Sequence, residues 1–314
     1  MQWFILWRLI TALPLLLVVS VLIFLLLHLI PGSAAVVILG EAASPERIAA
    51  LETELGLNDP LYMQYGRWIS HALQGDLGNS MINGRPVVDA LSTRLPVTLS
   101  LAAGGLCVSV FFGITLGILA GAHPGSVVDR FSVFIASLGL ALPAFWLAIL
   151  LSSWFAIELG WFPAVGYTPF RESPIGWLHS LVLPSLALGL PSSAFVTRQM
   201  RSSLRGVLQT PYIRAARATG VGGWSLIWRH ALRNALIPVI TIIGFEMTRL
   251  VGGAFLVEQV FALPGMGSLM INAVLERDIP TVQGIILVIA CLVIAINVLV
   301  DISYGWLNPR VRLA

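Results

Sequence analysis

Six times along this 314-residue chain, charge all but disappears for long enough to build about 20 residues of helix, the length that crosses the hydrocarbon core of a bilayer. The stretches are 9–30, 97–120, 131–157, 179–198, 236–257 and 282–304, and the fifth carries Glu246 and Arg249 in its interior. A segment in lipid must satisfy its backbone internally, so runs of this length predict helices. The expected fold is all-α and transmembrane, with six spans. Charged residues make up only 11% of the chain, against about a quarter in ordinary globular proteins. A net charge of +3 gives no reason to expect a nucleic-acid partner. Pro143 in the third span, and Pro184 and Pro191 in the fourth, predict kinks without ending the spans. The uncharged run from Leu9 to Gly40 far exceeds a signal-peptide core of about 7–15 residues. Residues 1–30 therefore read as a retained first span.

Arginine placement near the span ends sets the orientation. All 18 basic residues are Arg. With a cytoplasmic amino terminus, the inner face holds Arg8, Arg130, Arg198, Arg310, Arg312 and a dense group at 199–235, and both termini lie inside. The outer face then holds a long first loop, 31–96, carrying seven of the 15 acids, and a short loop at 158–178 stiffened by Pro163, Pro169 and Pro174. In the first loop, Ser44-Pro45-Glu46 followed by Ile48, Leu51 and Leu55 predicts a capped amphipathic helix that stops at Gly56. A second is expected over Leu61–Leu73, where Tyr62, Tyr65, Trp68 and Ile69 recur near helical spacing. These aromatics suit a lipid-resting cover or part of an outer gate.

The inner segment 199–235 carries Arg201, Arg205, Arg214, Arg217, Arg229 and Arg233 and no acid. Breaks at Thr210-Pro211, at Gly220 to Gly223 and from Asn234 to Pro238 divide it. The first piece continues the fourth span; Pro211, with Thr210 as a cap, opens a helix that stops at Gly220; a third helix, Trp224 to Asn234, leads into the fifth span. Lipid headgroups suit some of these arginines, Arg229 and Arg233 in particular, but explain nothing about Ala215, Ala216 and Gly220.

The strings Tyr212-Ile213-Arg214-Ala215-Ala216-Arg217-Ala218-Thr219-Gly220 and His230-Ala231-Leu232-Arg233-Asn234-Ala235-Leu236-Ile237-Pro238 resemble the EAA loop of binding-protein-dependent ABC importer permeases. They are most similar to the dipeptide/oligopeptide/nickel subgroup and, within it, to the dipeptide type. Arg214 stands where the general motif has Glu, a basic replacement common in that subgroup. Leu55-Gly56-Leu57-Asn58-Asp59-Pro60-Leu61, Gly75-Asp76-Leu77-Gly78, Arg94-Leu95-Pro96-Val97-Thr98-Leu99, Glu258-Gln259-Val260-Phe261-Ala262-Leu263-Pro264-Gly265-Met266-Gly267 and Asn308-Pro309-Arg310-Val311-Arg312 also look like subgroup signatures. Pro31-Gly32-Ser33-Ala34 departs from the usual Pro-Gly-Asp-Pro. The resemblance implies the type I importer fold: one permease domain, 1–314, with a periplasmic loop at 31–96, a five-span core at 97–305 and a cytoplasmic coupling loop at 199–235.

The same resemblance implies a multi-pass subunit of the bacterial inner membrane, working with a second, homologous permease in a heterodimer. Two cytoplasmic ATPase subunits, which bind ATP and Mg, and a periplasmic or lipid-anchored solute-binding protein complete the assembly. Arg214, Ala215, Ala216, Arg217 and Gly220 are expected to couple to the ATPases. Di- or oligopeptides are the expected cargo, with glutathione-like peptides, nickel or nickel chelates as alternatives.

Glu246 and Arg249 lie one turn apart on one side of the fifth span. Each inserted singly costs about 2.5–3.5 kcal/mol, so they are expected to face protein or water. A packing pair and a pathway role, with Glu246 meeting an amino group or cation, both fit. Met266, in a predicted turn at 264–267 before a short helix over Ser268–Glu276, is a further candidate for the pathway or gate. His28, His71, His123, His179 and His230 are scattered without ligand spacing. Gly104-Gly105 and Gly222-Gly223 lack the Lys-Ser/Thr of a phosphate loop. No catalytic, cofactor or metal residue is expected in this chain, which weighs against an intramembrane enzyme. An ion-coupled carrier is disfavoured because no inverted repeat is visible.

Overall fold

The computed structural model describes residues 2–28, 34–40 and 43–307. The signatures at Pro31-Gly32-Ser33 and Asn308–Arg312 lie outside the described residues, as do Arg310 and Arg312. The described residues are predominantly helical. In chain order the helices are α1 (Gln2–His28), α2 (Ala34–Leu39), α3 (Pro45–Glu54), α4 (Leu61–Leu73), α5 (Val87–Ala122), α6 (Val127–Ala141), α7 (Ala144–Leu151), α8 (Pro174–Leu208), α9 (Pro211–Ala218), α10 (Gly223–Leu226), α11 (Leu232–Val260), α12 (Met266–Leu275) and α13 (Ile279–Leu307). Two π-helical segments, Ser152–Glu158 and Ile227–Ala231, continue α7 and join α10 to α11. Four helical runs are long and apolar enough to cross a membrane, or five if the bent pair α6–α7 counts as one span; the described apolar part of α1, Ile10–Leu26, is shorter.

The chain forms two compact units, one centred on Thr98–Pro264 with Ile296 onward, the other on Ile5–Val97 with Gly265–Ala295. In the larger unit α8 is the central helix, 72% buried over its apolar window. Along α5, a Cβ on Gly104 would strike Ser185, one on Gly113 would strike Val196, one on Gly117 would strike Met200 and one on Gly121 would approach Leu204. Small residues are what let membrane helices approach this closely. The paired numbers rise together, so α5 and α8 run parallel. The chain between them, through α6 and α7, must therefore return along the length of α5. α11 also meets α8, with Arg249 at Ser192 and Gly253 at Leu188, an antiparallel pairing. Gly244 receives Val300 of α13, where a Cβ would come within 2.2 Å of that side chain.

Three expectations are corrected. The third span is not merely kinked at Pro143: α6 and the run beginning with α7 meet at 99°. Leu142 and Pro143 are both extended, at ψ 122° and 137°, because the residue before proline is driven out of the helical region. By contrast, α8 runs unbroken through Pro184 and Pro191. The break expected from Asn234 to Pro238 is absent, and Gly223–Val260 is one helical run. Ala231, Ala235 and Val239, all fully buried on one face, hold that run against its neighbours. Finally, the residues 266–267 expected in a turn already belong to α12, with Gly265 as its N-cap.

The smaller unit shows why the first-loop signature has its residues. α3 ends at Leu55 and Gly56 turns the chain at φ +64°, leaving no room for a side chain beside the Arg67 guanidinium. Arg67 donates to the Gly56 carbonyl at 3.1 Å and pairs with Asp59 at 2.6 Å. Gln64 donates to the Leu57 and Asp59 carbonyls. The expected α4 aromatics Tyr65 and Trp68 stack around Phe24, and Tyr65 shares a 2.9 Å hydrogen bond with Ser20. Asp278, buried, accepts from the Ser80 hydroxyl, from the Met81 amide at 3.1 Å and from the Thr281 hydroxyl at 2.7 Å.

Candidate functional site

The inner arginine segment folds as a short helix rooted in a core. Thr210 is extended and Pro211 takes the first helical position, yet the expected side-chain cap is absent: the Thr210 hydroxyl donates back to the Val207 carbonyl at 2.6 Å. α9 stops by a left-handed turn. Gly220 adopts φ +85°, its amide donates to the Arg217 carbonyl, and the Val221 amide donates to the Ala216 carbonyl, the double closure of a glycine-terminated helix.

One side chain of α9, Ile213, is fully buried, in a cluster with Ile118 of α5, Met200 and Leu204 of α8, and Ala231, Ala235 and Val239 of α11. Ala216 and Val221 pack against the same cluster. Arg214, Ala215 and Arg217 are exposed on the other side. Asn234 braces the platform by donating to the Tyr212 hydroxyl at 2.7 Å.

One platform arginine is turned inward. Arg201 donates from Nε and Nη2 to the two carboxylate oxygens of Asp129, the second bond 2.9 Å long. This bidentate fork, the strong form of an Arg–carboxylate contact, joins α8 to the first turn of α6. Asp129 also accepts from the Gly125 amide and opens α6 through Ser126, whose hydroxyl accepts from the Asp129 amide. Asp129 carries no motif or periodic signal, although it is the sole acid between Arg94 and Ile157.

The structure brings Glu246 and Arg249 together. Arg249 donates from Nε and Nη2 to Glu246 Oε2, at 3.1 and 2.9 Å. Its Nη2 also donates to the Ser192 hydroxyl at 3.1 Å, and its guanidinium lies 4.2 Å from the centre of the Phe195 ring. The two partners are unequally placed: the Glu246 side chain is 6% exposed and that of Arg249 50%. Ser192 and Phe195 come from α8 and gave no periodic signal. Met266 belongs to the smaller unit, where it is buried in a cluster with Val87, Leu91 and Ile285. Near the end of α11 the fully buried Glu258 accepts from the Thr98 hydroxyl at 2.6 Å, which places two of the signature strings in contact.

The family described as binding-protein-dependent transport system inner membrane component matches residues 113–313, and its N-terminal membrane component matches residues 1–102. This chain belongs to that family. The permease is 44% identical over 305 residues to a chain of Brucella abortus (strain 2308) assigned by name to a peptide transport system as its permease protein, covering 97% of each. It is 42% identical to the glutathione transport system permease protein GsiC of Escherichia coli O6:H1, again over 97% of each chain. With the dipeptide transport system permease protein DppB of Alkalihalophilus pseudofirmus, identity is 38% over 97% of this chain and 98% of the other. Among solved structures, a chain of the MetNI methionine ABC transporter superposes with a TM-score of 0.57 at 18% identity, over 69% of the permease and 96% of that chain. That likeness shows the ABC importer permease fold. The permease is thus a non-enzymatic, multi-pass component of the inner membrane.

Proposed function

We propose that this permease carries di- or oligopeptides across the inner membrane by alternating access, as one half of a heterodimer with a second, homologous permease. Two cytoplasmic ATPase subunits hydrolyse ATP, one of them docking on α9, and a periplasmic or lipid-anchored solute-binding protein delivers the cargo. The observation that carries this reading is the build of α9. Its exposed Arg214 and Arg217 offer charge to an acidic cleft, the small Ala215 allows close approach, and Ile213 transmits force to α5, α8 and α11 together. The relatives named for peptide, dipeptide and glutathione transport support a peptide cargo, since all three carry amide-linked chains.

Six spans fit this reading: α1, α5, the broken pair α6–α7, α8, α11 and α13. The parallel course of α5 and α8 favours a broken span over a re-entrant loop, and both termini then fall on the cytoplasmic face with α9. Residues 31–96 form the periplasmic loop. Glu246 and Arg249 belong to the gate of the pathway, and Met266, packed in the smaller unit with Val87, Leu91 and Ile285, is a separate candidate for the pathway.

The test is a mild-detergent isolation of this chain from native membranes, with mass spectrometry of what accompanies it. Recovery of a second permease, two ATPases and a solute-binding protein is expected; reproducible recovery of the intact chain alone would overturn the proposal. Glu246→Gln should lower transport several-fold more than it lowers the yield of complex. Equal loss of both would return the ion pair to a packing role.

A further inference from the structure

A cavity of about 280 Å³ opens in the larger unit where the chain breaks between α6 and α7. Pro143 and Ala144 form one wall, Ser192 and Phe195 of α8 another, and Arg249 and Gly253 of α11 the third. Arg249 lines it and Glu246 stands behind Arg249, so the pair is polarised. Glu246 is buried and takes two N–H groups of Arg249 on one oxygen, while the guanidinium is half exposed. Ser192 takes a third N–H, and Phe195 supports the guanidinium plane. Among the described residues, no hydrogen bond takes up the Nη1 amino group. An amine entering the cavity would meet a cation before it reached the acid. With Nε and Nη2 committed to Glu246 and Ser192 and the guanidinium carbon 4.2 Å from the Phe195 ring centre, the Nη1 amino group is the donor left to receive an anion.

We infer that Arg249 binds the terminal carboxylate of the transported peptide in this cavity, an inference that rests on the importer reading above. The polarity is the reverse of the amine-binding role that Glu246 suggested from sequence. At about 280 Å³, just below the roughly 300–1,000 Å³ usual for small-molecule sites, the cavity suits the end of an extended peptide and not a whole folded one. Such a contact discriminates because a neutral terminus forgoes the charge-assisted bond to the Nη1 amino group.

The test is equilibrium binding of dialanine and of dialanine amide to the purified permease–ATPase complex without its solute-binding protein, so that receptor selectivity does not enter. The wild-type complex should prefer the free acid by about tenfold or more. Arg249→Gln should erase that preference by weakening acid binding alone, and Arg249→Lys should restore part of it. Gly253→Val, whose Cβ would meet only Leu188 at 3.5 Å, should fill the cavity and weaken acid and amide alike with the ion pair intact. No acid preference in the wild type, or a preference that survives Arg249→Gln, would overturn the inference. Dialanine uptake by proteoliposomes supplied with the solute-binding protein separates the two claims. Uptake without acid preference removes only the carboxylate site, whereas a complete assembly that takes up no peptide removes the peptide-importer reading.

Discussion

With Gly220 replaced by valine, the permease is expected to reach the membrane intact while stimulated ATP hydrolysis and transport fall at least tenfold. The cause is backbone geometry and not crowding, since a Cβ at this position meets nothing within 4 Å. At φ +85° a β-branched side chain is a steric outlier. Holding it there costs on the order of 1–3 kcal/mol, which alone depletes the native turn of α9 by roughly 5- to 150-fold. The closing bonds from Gly220 and Val221 would loosen and let Arg214 and Arg217 turn away from the surface they present. Co-purification of ATPase subunits and substrate-stimulated hydrolysis in the assembled complex measure the effect. Stimulated hydrolysis at the wild-type level would remove α9 from the coupling role.

A second substitution, Gly117→Leu, should abolish the folded permease itself. Even a Cβ at Gly117 would sit 2.5 Å from Met200 Cβ and 2.9 Å from the Thr197 carbonyl oxygen. The second of these is backbone, which cannot rotate aside. Overpacking a well-filled interior costs typically about 1–3 kcal/mol, and here α5 would have to lift from α8 along the line through Gly113, Gly117 and Gly121. Fluorescence-detected size exclusion in detergent should show loss of the monodisperse peak. Gly252→Leu, where a Cβ finds nothing within 4 Å, is the matched control. Equal profiles for the two variants would mean that α5 and α8 are not packed through these glycines.

What could be read from the sequence was local. The bounds of α4 follow from its aromatic spacing, and those of α9 from Pro211 and Gly220, because caps and breakers act on their own neighbours. Pro143 shows where that logic ends. The same residue type leaves α8 continuous at Pro184 and Pro191, inside the most buried helix of the larger unit, yet breaks the chain between α6 and α7, where Phe145, Trp146 and Ile149 are exposed. Surrounding helices decide whether a proline bends or divides a span, and no window of sequence contains them. The candidate site divides likewise. Glu246 and Arg249, one turn apart, were legible as a pair, but Ser192 and Phe195, which turn that pair into a directed guanidinium, reach it across 57 and 54 positions of chain. The Asp129–Arg201 fork spans 72.

The way α9 is mounted separates address from attachment. Ile213 and Ala216 hold the helix on one flank, and Arg214 and Arg217 stand on the other. The outward residues could therefore be exchanged for those of another permease without disturbing the socket that anchors the helix. On the proposed coupling role, a chimera altered at these two positions would change which motor it addresses while keeping its own membrane body, like a plug fitted to a new outlet.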